Sequence, residues 1–218
     1  MPIRDHNPSG TLPFLTILII ALNIIVFLFQ YFILNFSQAN AFTGQYALIP
    51  SLVNFSDPIS LYPFITSMFL HAGLLHLASN MLFLWVFGDN IEAKLGRFKF
   101  LLFYLLGGIL ASFAQFLMMP SSDIPTIGAS GAIAAVLGAY LILFPKAKVD
   151  VLIPIFVIPT IVAVPAGFML LYWFVTQILS GLTLSSEEGG IAFFAHSGGF
   201  LAGVVLIKVL LPQRNLAN

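Results

Sequence analysis

GASGAIAAVLGAYLILF, residues 128 to 144, carries no charged side chain, and its Gly131, Ala135 and Gly138 fall on one face at helical spacing. A run of this kind packs closely against another helix or against lipid. The remaining sequence decides the setting. Of 218 residues, 60% are hydrophobic and 7% charged, and mean hydropathy is +1.04. Soluble domains carry roughly 25% charged residues. The chain therefore reads as a polytopic membrane protein.

Outward from that run, six apolar segments lie at about 13 to 35, 74 to 91, 98 to 119, 130 to 144, 149 to 180 and 191 to 211. A helical crossing needs roughly 20 residues for about 30 Å of hydrocarbon. No alternating barrel pattern is present, and backbone groups in lipid must pair internally, so the expected fold class is all-α with six transmembrane helices. The segments follow one another too closely for a soluble domain, which makes residues 1–218 one membrane domain with a short cytoplasmic tail at 1–12. Ala39-Asn40-Ala41 resembles a signal-peptide cleavage site, but the apolar stretch before it exceeds the roughly 7 to 15 residues of a cleaved signal, so a retained anchor is expected. Net charge is zero without a basic run, which removes electrostatic support for a nucleic-acid partner. Cysteine is absent, excluding thiol catalysis and disulfides. The inverted repeats of a small transporter are not visible either.

Cations set the orientation. Arg4 precedes the first segment, Lys94, Arg97 and Lys99 separate the second from the third, Lys146 and Lys148 the fourth from the fifth, and Lys208 and Arg214 close the sixth. The alternate connections, 36 to 73, 120 to 129 and 181 to 190, contain neither Lys nor Arg, and the last holds Glu187 and Glu188. The positive-inside rule then puts both termini in the cytoplasm.

On this frame Ser130 opens the fourth segment and His196 lies early in the sixth, both approaching from the non-cytoplasmic side. Helix rise places Ser130 about 21 Å from the cytoplasmic end and His196 about 18 Å, so their depths match. The fourth segment is too short to cross from surface to surface, and its outer connection must dip to meet it. The small residues Gly131, Ala135 and Gly138 on the fourth, with Ala195, Gly199, Ala202 and Gly203 on the sixth, favour close helix contact. A Ser130–His196 hydrogen bond would give a nucleophile and its general base. His76 and Asn80, one turn apart on the second segment at the same depth, supply candidate oxyanion donors beside the Ser130 N–H. With no Asp or Glu in the fourth or sixth segment, the arrangement is a Ser/His dyad without the third, orienting group of a triad.

Thr66-Ser67-Met68-Phe69-Leu70-His71, the His76/Asn80 pair, Phe87-Gly88-Asp89-Asn90-Ile91-Glu92, Gly128-Ala129-Ser130-Gly131 and Ala195-His196-x-x-Gly199-x-x-x-Gly203 together resemble a rhomboid-family intramembrane serine protease of bacterial type. Pro2-Ile3-Arg4-Asp5 is similar to the start of many bacterial members. The resemblance implies a six-span protease with Ser130 as nucleophile, His196 as base, and His76 and Asn80 in the oxyanion hole. It implies transmembrane protein substrates, no cofactor, a bacterial inner-membrane location and a site opening to the non-cytoplasmic side. It also makes residues 36 to 73 a membrane-associated first loop and the fifth span a mobile wall. Two positions depart from the pattern. Ala134 stands where some members place an aromatic residue beneath the imidazole, and residues 36 to 73 lack the Trp-Arg pair of some first loops. The alternative function is a non-catalytic rhomboid-like protein that binds membrane clients.

Other polar residues receive plainer readings. His71 with His76 lacks the further ligands that zinc requires. Asp89, Glu92 and Lys94 read as an interfacial charge cluster, as does Asp150 beside Lys148, and Pro154, Pro159 and Pro165 as kinks in the fifth span.

Overall fold

The computed structural model describes residues 1–155, 158–183 and 192–211. Glu187, Glu188 and Arg214 lie outside the described residues. In chain order the elements are β1 (Pro2–Asp5), α1 (Phe14–Leu28, prolonged by a π turn at Phe29–Ile33), α2 (Phe36–Tyr46), α3 (Pro63–Thr66), α4 (Leu74–Leu95), α5 (Arg97–Met118), α6 (Ser130–Leu143), β2 (Lys148–Ile155), β3 (Ile158–Pro165), α7 (Ala166–Thr183) and α8 (Phe193–Leu210). The fold is mostly helical. By length and composition, Phe14–Ile33, α5, α7 and α8 can each cross a membrane. The stretch Pro58–Phe69 joins α4 through an 82° bend as a fifth candidate, and α6 is a shorter apolar helix.

α6 is the axis of the bundle. Every residue from Gly131 to Tyr140 is buried, so this helix is apolar all round because protein surrounds it all round. α5, α4 and α8 pack about it. Against α8 the backbones meet directly: a Cβ on Gly199 would collide with the Gly131 carbonyl oxygen, one on Gly203 with that of Ala135, and one on Gly138 with that of Phe200. On the α5 side, a Cβ on Gly107 would stand 2.6 Å from the Ala135 Cβ. The small-residue faces expected on the fourth and sixth segments are therefore the ones in contact.

Glu92 does not join an interfacial charge cluster with Asp89 and Lys94. It is buried, and its carboxylate accepts hydrogen bonds from Leu15 N (2.9 Å), Thr16 N (2.8 Å) and Thr16 Oγ1 (2.8 Å). Those N–H groups belong to the first turn of α1, where no intrahelical acceptor exists and negative charge is favoured. α4 thus caps α1, a long-range bond that no local sequence rule predicts.

The fifth segment differs most from expectation. Lys148–Ile155 and Ile158–Pro165 pair as the antiparallel strands β2 and β3, and helix begins only at Ala166. The stretch is rich in Val and Ile, which suit strands, while its prolines deny a helix the donors it needs. Pro154 and Pro159 occupy the same rung of the ladder. β1 adds the third strand, so the expected N-terminal tail is instead part of a sheet in the order β1-β2-β3. Arg4 Nη2 and Nε lie 2.7 and 3.1 Å from Asp150 Oδ2, and His6 Nε2 lies 2.7 Å from Oδ1. Asp5 accepts from Tyr140 Oη (2.6 Å) and Asn90 Nδ2 (2.9 Å), tying the strand to α6 and α4.

The described cations gather at this end of the bundle. Lys94 lies over the Phe144 ring at the end of α6, Arg97 over Phe14 at the start of α1, and Lys99 Nζ donates to Leu210 O at the end of α8 (2.9 Å). The starts of α4, α6 and α8 form the opposite end.

Two measurements follow from this architecture. Glu92→Leu orphans the first-turn donors of α1 and is expected to lower stability by roughly 3 kcal/mol, read as the unfolding midpoint in detergent, with a smaller loss for Glu92→Gln. The second concerns β1. The His6 and Arg4 hydrogen bonds hold the Asp150 carboxyl below the usual range, so its contribution is present above the unfolded pKa and lost as acid protonates it. Burial raises Asp5, whose contribution is fully present below its unfolded pKa and is lost as pH rises through its folded pKa. Hydrogen-exchange protection of residues 3–5 should therefore peak between the two titrations. Asp150→Asn should remove the acidic fall and Asp5→Asn the fall on the other side.

Candidate functional site

Ser130 is the first residue of α6, His196 the fourth of α8, and His76 the third of α4. Three helix starts thus converge below the bundle's open end. The convergence needs α6 to begin deep, and the segment before it is built to reach there. Leu48 and Thr126 exchange backbone hydrogen bonds (3.1 and 2.8 Å), Ser51 N donates to Ser122 O (3.1 Å), and Gly128 N donates to Ser67 O (2.9 Å). The irregular backbone of the dipping connection is thereby satisfied by protein.

Between these helix starts lies a cavity of about 540 Å³, lined by His76, Ser79, Asn80, Gln115, Ser130 and His196, with Ser122 and Ile124–Ile127 of the connection. His196 Nε2 is 2.8 Å from Ser130 Oγ. The imidazole's other nitrogen, Nδ1, is 2.8 Å from Gln177 Oε1 on α7, and the Trp173 ring lies 5.9 Å from the His196 ring. Support for the imidazole therefore comes from α7 rather than from position 134, where Ala134 is fully buried in α6. Gln115 on α5 accepts from Ala195 N at 3.2 Å, capping the start of α8 beside His196.

His76 and Asn80 face the same cavity from α4. Asn80 is buried, and its Nδ2 donor has no partner among the described residues. A buried unpaired donor carries a desolvation cost of roughly 1–3 kcal/mol, which a substrate oxygen at that spot would offset. His76 Nδ1 accepts from Ala72 N at 3.4 Å, which leaves Nε2–H as donor. Gly128 makes room for that donor. It has φ +122°, and a Cβ there would stand 2.8 Å from His76 Nε2 and 3.6 Å from Ser130 Oγ. His71 is buried, with its ring 5.0 Å from that of His76.

Sequence reading placed Ser130, His196, His76 and Asn80 at one level, and the structure brings all four to one cavity. It missed Gln177 and Trp173. The available signal was an amide inside the apolar run 166–183, since a polar residue at membrane depth is a functional candidate by default. The first loop is also held without a Trp-Arg pair. Tyr31 Oη donates to Ala72 O, Tyr62 Oη to Gln45 O (2.6 Å), and Thr66 Oγ1 to Tyr46 O (2.8 Å).

A Rhomboid domain family model matches residues 58–213, which includes every residue of this cavity. The chain belongs to the rhomboid family. Among curated relatives, it is 33% identical over 147 residues to presenilin-associated rhomboid-like protein A, mitochondrial, of Danio rerio, covering 65% of this chain and 36% of that protein. It is 47% identical over 77 residues to rhomboid protease GluP of Bacillus subtilis (strain 168), covering 35% of this chain and 15% of the relative. It is 38% identical over 85 residues to rhomboid-like protein 11, chloroplastic, of Arabidopsis thaliana, covering 39% of this chain and 30% of the relative. The matched region thus spans about a third or less of these relatives' own lengths. The rhomboid domain accounts for the membrane setting, with several apolar helices in one bundle.

Gly128 gives this geometry a direct test. Gly128→Ala should destabilise the rhomboid domain by about 1–3 kcal/mol through its backbone conformation and the clash with His76. Gly73→Ala, where φ is 176° and nothing lies within 4 Å, should leave the unfolding midpoint unchanged.

Proposed function

We propose that this rhomboid-family chain is an intramembrane serine endopeptidase that hydrolyses peptide bonds in or near the transmembrane segments of other membrane proteins. The observation that carries the reading is the 2.8 Å approach of His196 Nε2 to Ser130 Oγ in a cavity large enough for a peptide segment. His196 takes the hydroxyl proton as Oγ attacks the scissile carbonyl carbon. The resulting oxyanion accepts hydrogen bonds from Asn80 Nδ2, His76 Nε2 and the Ser130 N–H. The latter belongs to a helix start, where N–H groups lack intrahelical acceptors. The imidazolium then protonates the leaving amine, and an acyl-enzyme on Ser130 remains. Water, deprotonated by His196, attacks the ester, and the proton returns to Oγ as the new carboxyl terminus leaves.

In this reading residues 1–218 form one domain crossing the bilayer six times, with α6 as the short central crossing and the cation-rich end in the cytoplasm. Both termini are then cytoplasmic, and the cavity opens to the opposite side. The leading location is a bacterial inner membrane, although relatives bear mitochondrial and chloroplastic names beside the Bacillus one. The chemistry requires no cofactor.

Covalent labelling by a fluorophosphonate in detergent separates this reading from non-catalytic client binding. Wild type should label at one serine. Ser130→Ala should abolish labelling, and His196→Ala should slow it by at least roughly a hundredfold, the lower range for loss of a general base. A transmembrane model substrate should be cut by wild type and by neither variant. Equal labelling of wild type and Ser130→Ala, with no cleavage by either, would instead favour client binding.

A further inference from the structure

We infer that Gln177 is the positioning residue of the dyad, holding His196 in the tautomer that can deprotonate Ser130; this rests on the hydrolase reading above. Both imidazole nitrogens are engaged at 2.8 Å, Nδ1 by Gln177 Oε1 and Nε2 by Ser130 Oγ. A carboxamide oxygen can only accept, so Nδ1 must carry the proton. Nε2 then presents its lone pair to the serine hydroxyl, as a general base must. The opposite tautomer would aim an N–H at Ser130 Oγ and leave the imidazole unable to take its proton.

In the triad template a carboxylate performs this orientation and stabilises the imidazolium that forms. Gln177 supplies the first effect without the formal charge. Its seat is reinforced one turn earlier, where Trp173 lies against the same imidazole, and Phe174 stacks on Phe200 of α8 at 4.5 Å between centroids. The groups facing His196 from its neighbours are Ser130 on α6, Gln115 on α5, Trp173 and Gln177 on α7, and His76 across the cavity on α4. Of these, His76 is the titratable one, so a carboxylate introduced at position 177 would be a new charge beside the imidazole.

The experiment uses the full chain in detergent, with the fluorophosphonate as acylation probe and a transmembrane model substrate for kcat and KM, over roughly pH 3 to 9, a window that reaches well below the titration of a free imidazole. Gln177→Leu removes the acceptor and is expected to lower acylation rate and kcat roughly tenfold or more, with KM little changed. Gln177→Glu keeps an acceptor and adds charge. It should retain acylation and move the acidic limb of the pH–rate profile upward by about one unit, because the carboxylate favours the imidazolium. A merely structural amide would shift the unfolding midpoint in both variants and leave the pH limb in place. If Gln177→Leu fails to fold, the limb position in Gln177→Glu decides. Acylation of Gln177→Leu at the wild-type rate, or a Gln177→Glu profile that superimposes on wild type, would overturn the inference. Labelling that survives Ser130→Ala would defeat the hydrolase reading itself, whereas Ser130-dependent labelling indifferent to position 177 would defeat only the role of Gln177.

Discussion

The near-contact of two helix backbones governs the rest of this molecule. Between α6 and α8, Gly199 lies against the Gly131 carbonyl, Gly203 against that of Ala135, and Gly138 against that of Phe200. Three consecutive contacts without intervening side chains fix both the separation and the axial register of the two helices. Lipid tails are as apolar as leucine, so hydrophobic burial does not drive this pairing; dispersion at close range and backbone complementarity must. The Ser130–His196 hydrogen bond lies just above Gly131 and Gly199, and its 2.8 Å length follows from that register. Larger residues at these glycines would separate the helices before they disturbed either side chain of that hydrogen bond.

The second constraint is depth. α6 runs only from Ser130 to Leu143 and is buried almost throughout, so its polar first turn begins inside the protein. That arrangement is costly unless the connecting backbone is satisfied. Leu48, Ser51 and Ser67 do this by pairing with Thr126, Ser122 and Gly128. The first loop thus holds in place the connection that lines one wall of the cavity. At the far end, Glu92 caps α1 and the β1-β2-β3 sheet ties Asp5 to Tyr140.

What the sequence made legible is what depends on composition, charge placement and spacing along one helix. Small residues at spacings of three and four marked the α6–α8 seam, and helix rise put Ser130, His196, His76 and Asn80 at one level. What it hid depends on partners far apart in the chain. Glu92 looked like an interfacial charge until α1 supplied the N–H groups it accepts from. Gln177 gave no local sign of a bond to a histidine 19 residues away. The pairing of β2 with β3 was masked by its hydrophobicity, since a long apolar run reads as a span. Its Val, Ile and Pro content, weighed against helix propensity rather than read as kinks, favoured strands.

The central claim is that α6–α8 packing builds a nucleophile and base beside the donors of Asn80 and His76. It is tested most directly by a crystal structure of the phosphonylated protein. The account predicts phosphorus bonded to Ser130 Oγ, one phosphonyl oxygen within hydrogen-bond reach of Asn80 Nδ2 and the Ser130 N–H, and His196 still held by Gln177. Phosphorus on another residue, or a phosphonyl oxygen turned away from Asn80 and His76, would contradict it.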